Sequence, residues 1–183
     1  MSTVSHPFRW LPEHRLQFFT LVVVIASTSM TWYMSQSLGS DQSGAVIGWE
    51  LAGTVKKAAG YLAVWKQKNM LAAVKFQVWI DYLYLVLYPA AISLVLIQVG
   101  RLLSETSAGL SRWLFRFSWL VLLSGLFDAI ENVGLLVQLY DQPGVISVKV
   151  AFVFAALKFG VLLVSFLLLL LGTGRWLLAR LLP

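Results

Sequence analysis

Trp113 to Leu139 reads WLFRFSWLVLLSGLFDAIENVGLLVQL. A bilayer crossing takes about 20 mostly apolar residues, and this run exceeds that. It nevertheless carries Asp128 and Glu131 in its second half. An ionisable side chain at the bilayer centre costs about 2.5–3.5 kcal/mol on insertion scales, so such groups are expected to face a bundle interior and to find partners. Asp128, Glu131 and Asn132 stand at i, i+3 and i+4, which places them on one stripe of a helix. Gly125 and Ala129 form a small-xxx-small pair that lets a second helix approach closely. The stretch therefore reads as a membrane span with one polar, inward face.

Three further runs have the same character. Leu16–Leu38 is longer than the 7–15 residues of a signal-peptide core and ends without a small-residue cleavage pattern, so a retained span is expected. Phe76–Val99 contains Pro89, and Val148–Leu171 contains Lys158. Gly172-Thr173-Gly174 reads as the end of that last helix. The spans 16–38, 76–99, 113–139 and 148–171 take up most of the 183 residues and leave no room for a second folded domain. The expectation is an all-α, polytopic four-transmembrane-helix bundle with residues 1–183 as a single membrane domain.

Composition points the same way. The chain is 59% hydrophobic and 12% charged, against roughly 25% charged in soluble domains, and its mean hydropathy is +0.80. This excludes an ordinary soluble enzyme and a disordered chain. There is no cysteine, and His6 and His14 both precede the first span. Disulfides, thiolate chemistry, an intramembrane metal set, a Ser–His triad and haem ligation are thereby disfavoured, and no metal or cofactor is expected. The net charge of +6 belongs to span flanks rather than to a nucleic-acid surface. All seven arginines (9, 15, 101, 112, 116, 175 and 180) fall on the side of the two termini and the loop between spans two and three. Five lysines sit in the long first loop and Lys149 in the short last one. Span-proximal charge in short loops carries the most weight, so both termini are expected in the cytoplasm. Trp10, Trp32, Tyr33, Trp79, Trp113, Tyr140 and Trp176 mark span ends as interfacial aromatics do.

The long extracytoplasmic loop 39–75 has structure of its own. Ser40-Asp41-Gln42-Ser43-Gly44 reads as a turn. Thr54 is placed to cap a helix over about 55–66, whose apolar face is Val55, Ala58, Ala59, Leu62 and Trp65. At that length it cannot span, and an amphipathic helix lying at the interface over the bundle is expected.

Four ionisable residues lie inside spans: Asp81, Asp128, Glu131 and Lys158. With 1.5 Å of rise per residue, they sit about 8, 17, 12 and 15 Å below the outer ends of their spans. Three helices thus bring them to the same half of the bilayer. Gln77, Asp81, Tyr84 and Tyr88 follow helical spacing on span two, and Thr20, Ser27, Thr31 and Ser35 do so on span one. Three carboxyls against one ammonium is an uneven count. A proton, a cation, or Lys56, Lys57 or Lys75 reaching in from the loop would balance it, and Glu50 would add a fourth acid if the loop helix folds down.

The chain reads as an integral membrane protein binding a small or lipidic ligand, coupled to a proton, at this Asp/Glu/Lys/Tyr/Asn cluster. Glu131 and Asp128 are the protonatable groups and Lys158 their counter-ion. Tyr84, Tyr88 and Asn132 are ligand contacts and Asp81 the outer rim, with Glu50 and Trp65 as loop candidates. Two other readings stay open: an accessory subunit whose buried charges only fix helix packing, and a membrane enzyme using a carboxyl as general acid/base on a lipid. Partners are membrane lipids, with a homo-oligomer or a partner subunit left open and no nucleic acid expected.

Trp49-Glu50-Leu51-Ala52-Gly53-Thr54 with Trp65, Asp81-Tyr82-Leu83-Tyr84 with Tyr88, Asp128-Ala129-Ile130-Glu131-Asn132 and Lys158 resemble the pattern of uncharacterised four-span bacterial integral membrane proteins. The resemblance covers about residues 45–160 and implies topology alone. At the cap, Lys57 stands where an acidic capping-box residue is expected.

Overall fold

The computed structural model describes residues 5–38 and 40–181, with the side chains of 37 and 40–43 left aside. Among the described residues there are seven helices and no strand: α1 (Glu13–Ser37), α2 (Ser40–Glu50), α3 (Val55–Gln67), α4 (Leu71–Leu102), α5 (Ala108–Leu120), α6 (Leu122–Tyr140) and α7 (Val145–Leu181). Four stretches are long and apolar enough to cross a membrane: Glu13–Gln36, Leu71–Leu102, Ala108–Tyr140, which joins α5 to α6, and Val145–Leu181. Their outer faces are hydrocarbon. Phe18, Leu21 and Ile25 on α1 and Leu163, Phe166 and Leu170 on α7 are each more than half exposed. Lipid is the solvent in which such faces carry no penalty.

α4 is the hub. It packs against α1, α5, α6 and α7, while α6 and α7 form the most extensive single pair. The close approaches occur at glycines. A Cβ on Gly134 would lie 2.8 Å from the Ser147 carbonyl oxygen, so α6 and α7 meet there almost backbone to backbone. A Cβ on Gly125 would collide with the Leu85 carbonyl oxygen and crowd Pro89. Pro89 has no N–H, so the Leu85 carbonyl has lost its helical donor. A Cα hydrogen of Gly125 takes its place against that oxygen.

Several sequence expectations are corrected. The third span runs as one stretch, Ala108–Tyr140, with a one-residue interruption at Val121, whose backbone stays helical (φ −64°, ψ −24°) and whose N–H donates to the Phe117 carbonyl at 2.9 Å. The Ser93 hydroxyl of α4 donates to the Ser118 carbonyl at 2.6 Å, and the Ser118 hydroxyl donates to the Phe115 carbonyl at 2.7 Å. Side-chain donors thus reach the backbone ladder beside the interruption, a recognised cause of local irregularity. The fourth helix does not end at Gly172-Thr173-Gly174 but continues to Leu181. Gly172 is there to let Val99 and Leu114 close in. Residues 40–44 are the first part of α2 rather than a turn.

The loop helices are anchored, not loosely laid on the bundle. Thr54 has extended backbone (φ −136°, ψ 145°), and its hydroxyl accepts from the Lys57 amide at 3.4 Å. α3 stops at Asn69, whose positive φ of 57° suits the left-handed position after a helix. Trp49, Ala58 and Trp65 are buried with Val74, Val78, Leu135, Val148 and Ala151. Trp49 and Trp65 meet edge to face with ring centres 5.3 Å apart. Trp49 also donates its indole N–H to Gln138 Oε1 at 2.9 Å. Ala59, expected on the packed face, is exposed. This apolar cap covers the loop ends of α4, α6 and α7. A second apolar cluster, Leu96, Leu103, Leu114 and Val121, fills the opposite end of the bundle. The polar cluster lies between the two.

Candidate functional site

Lys158 is the centre of that cluster. Its Nζ lies 2.9 Å from Asp128 Oδ1, 2.7 Å from Glu131 Oε2 and 3.5 Å from Glu50 Oε2. The Lys158 side chain is 8% exposed, that of Asp128 4% and that of Glu131 0%. The Asp128 contact is a hydrogen bond. The Glu131 contact is an ion pair off the donor axis, and neither Glu131 oxygen has a hydrogen-bond donor. Burying charges costs several kcal/mol per ion, so an ammonium here needs its anions close. α6 supplies two of them one turn apart, and α2 brings the third down from the loop. Burial holds the Glu50 carboxyl above its ordinary range, with Lys158 opposing the rise and Asp128 adding to it.

Asp81 on α4 is held from the other side. Its Oδ2 accepts from Asn132 Nδ2 at 2.7 Å. Asn132 thus holds the Asp81 carboxyl and is not among the side chains that line the cavity. The helical stripe on α4 points as its spacing indicates, and Gln77, Asp81, Tyr84 and Tyr88 all face one cavity of about 300 Å³. Asp128 and Lys158 form its floor, and Glu50 with Val46 and Ile47 of α2 its roof. Thr31, Met34 and Ser35 of α1 and Phe159 and Leu162 of α7 form its sides. α1 is packed on α4 and makes no extensive contact with α7.

Two hydroxyls define the cavity wall. The Tyr84 Oη is 2.8 Å from the Thr31 hydroxyl, which ties α4 to α1. Tyr88 is 6% exposed, and its Oη has no hydrogen-bond partner. The polar side chains beside it are Asp128 and Ser124. Ser124 donates its own hydroxyl to the Val121 carbonyl. A buried phenol without a partner costs about 1–3 kcal/mol.

The expected site residues thus separate. Glu50, Asp81, Tyr84, Tyr88, Asp128 and Lys158 line the cavity, and Glu131 and Asn132 stand behind it. Trp65 is not in the site. It is buried against Trp49 and Tyr61, one layer above. No loop lysine reaches the cluster, since Lys56 and Lys57 are exposed and Lys75 lies 4.2 Å over the Tyr140 ring. Sequence reasoning missed Val46, Ile47, Met34, Phe159 and Leu162. The α1 stripe of Thr31 and Ser35 was the signal for the first-helix wall; the apolar lining residues have no signature apart from ordinary lipid-facing sequence. Among the described residues no group of His, Asp or Glu is arranged to hold a metal ion.

Fold and site together define an all-α integral membrane protein with four candidate spans and a largely apolar cavity that carries a few charged and hydroxyl groups. No protein-family model, curated protein or solved structure matches the chain.

Proposed function

We propose that this protein is a bacterial inner-membrane protein, both termini cytoplasmic, that binds a small or lipidic ligand in the Lys158 cavity, with proton uptake at the same cluster. The observation that carries the reading is the buried Tyr88 hydroxyl, unpartnered and facing a cavity of about 300 Å³ beside Asp128. That volume lies at the small end of ligand pockets, and an incoming polar group or water would give the phenol the partner it lacks. One ammonium against four carboxyls supports exchange of protons or cations, and Glu50 in the roof is the group whose burial favours the protonated form.

The enclosure of Lys158 by three carboxylates also favours the second reading, a charge cluster that only fixes helix packing. The absence of native cysteine allows a clean separation. Ser35→Cys lines the cavity, whereas Ser165→Cys is fully buried elsewhere. In spheroplasts, a small charged thiosulfonate reagent is expected to label Ser35→Cys from the periplasmic side and to leave Ser165→Cys untouched. No labelling at Ser35→Cys from either side would mean a closed cluster and would favour the packing role.

A further inference from the structure

Resting on that reading, we infer that the ligand is an amphiphile with a protonated amine head, its head among Asp81, Asp128 and Tyr88 and its apolar chain leaving between α1 and α7. Three observations converge. The first is charge. Even with a proton on Glu50, three carboxyls remain against one ammonium, and that ammonium is spent on the carboxylates around it. An anionic head would face the Asp81, Asp128 and Glu50 carboxyls with only the already paired Lys158 to attract it. A cation with N–H donors brings the count closer to balance.

The second is shape and lining. A volume of about 300 Å³ is too large for one dehydrated metal ion and too small for a whole lipid. It fits a head group and the first part of a chain. Tyr84 and Tyr88 stand with ring centres 5.0 Å apart in the lining, whereas the Phe159 ring already carries the Lys158 ammonium 4.9 Å from its centre. Aromatic faces suit an organic cation. The third is the exit. Met34, Ile47, Phe159 and Leu162 line the side where α1 and α7 lack extensive packing. An acyl-like chain leaving there enters hydrocarbon. The Tyr88 hydroxyl, more than nine-tenths buried and without a partner, is the head group's remaining polar contact.

The test uses the full chain in phosphatidylcholine nanodiscs, titrated separately with decylammonium, ethylammonium, decanol and decyl sulfate. Binding is read by native mass spectrometry and by thermal shift. Decylammonium is expected to bind at least tenfold more tightly than the other three. Asp81→Asn is expected to reduce that preference at least tenfold. Tyr88→Phe is expected to weaken decylammonium binding about fivefold while leaving the melting temperature of the free protein unchanged or higher. Equal or tighter binding of decanol or decyl sulfate would overturn the amine head and leave ligand binding intact. Equal binding of ethylammonium would overturn the chain and indicate a free small amine. Uptake of all four unchanged by either substitution would show bilayer partitioning only, and would overturn this inference. No labelling at Ser35→Cys would separately count against the binding reading itself.

Discussion

At the scale of the residue, Lys158 decides whether four acids can share one interior. Its side chain is nearly buried, and its Nζ is within 3.5 Å of three carboxylates. Lys158→Met leaves those carboxylates without their cation, and removing one partner of a buried pair costs about 3–5 kcal/mol. The variant should unfold in mild detergent at a clearly lower temperature. Adding Asp128→Asn and Glu131→Gln should restore much of the loss, because the two carboxyls closest to the lost ammonium are then neutral and only Glu50 and Asp81 remain. Failure of the triple variant to recover would mean that Lys158 does more than balance charge. Glu50 makes the complementary prediction. Its folded-state pKa is above the ordinary value of 4.5, so the folded protein holds that proton longer than the unfolded chain. Its contribution to stability is therefore full below about pH 4.5 and declines as pH rises toward the folded value. Glu50→Gln should flatten this decline and melt higher than the parent at neutral pH. A steeper decline in a pH series of melting curves would contradict the assignment.

At the scale of the element, small residues and hydroxyls set where the helices approach most closely, alongside the apolar clusters between them. Gly125 lies against the Leu85 carbonyl that Pro89 leaves without a donor. Gly125→Ala must push α4 and α6 apart and should cost about 1–3 kcal/mol, seen as a lower melting temperature. An unchanged melting temperature would mean that the two helices are not in contact there. The same elements show what sequence reasoning reaches. The i, i+3, i+4 stripe of Asp128, Glu131 and Asn132 and the α4 stripe from Gln77 to Tyr88 were legible because helical period alone sets them. The Thr54 cap was legible because its chemistry is local. The interruption at Val121 was not, because no glycine or proline marks it. The Ser93 hydroxyl beside it comes from another helix. The start of α2 was not legible either. Ser, Asp and Gly at 40–44 favour a turn in isolation, whereas the burial of Trp49 against Gln138 and Trp65 stabilises the helix that follows. Glu50 reaches Lys158 only because of that helix.

At the scale of the whole molecule, two apolar clusters close the ends of a bundle around a polar middle that stays partly hollow. The loop cap of Trp49, Ala58 and Trp65 seals one end. Leu96, Leu103, Leu114 and Val121 seal the other. Between them the proposed way in is sideways, between α1 and α7, which lack extensive packing against each other. The uneven charge, the unpartnered Tyr88 hydroxyl and the lateral opening make sense together if something enters. The most direct test is a cryo-EM structure of the protein in lipid nanodiscs, at a resolution that shows ordered waters and lipids. The account predicts density in the cavity within hydrogen-bond distance of Tyr88 Oη and the Asp81 or Asp128 carboxyl, continuing outward between α1 and α7. A collapsed cavity would contradict it, with α1 packed on α7, the Tyr88 hydroxyl donating to Asp128 and no density between them.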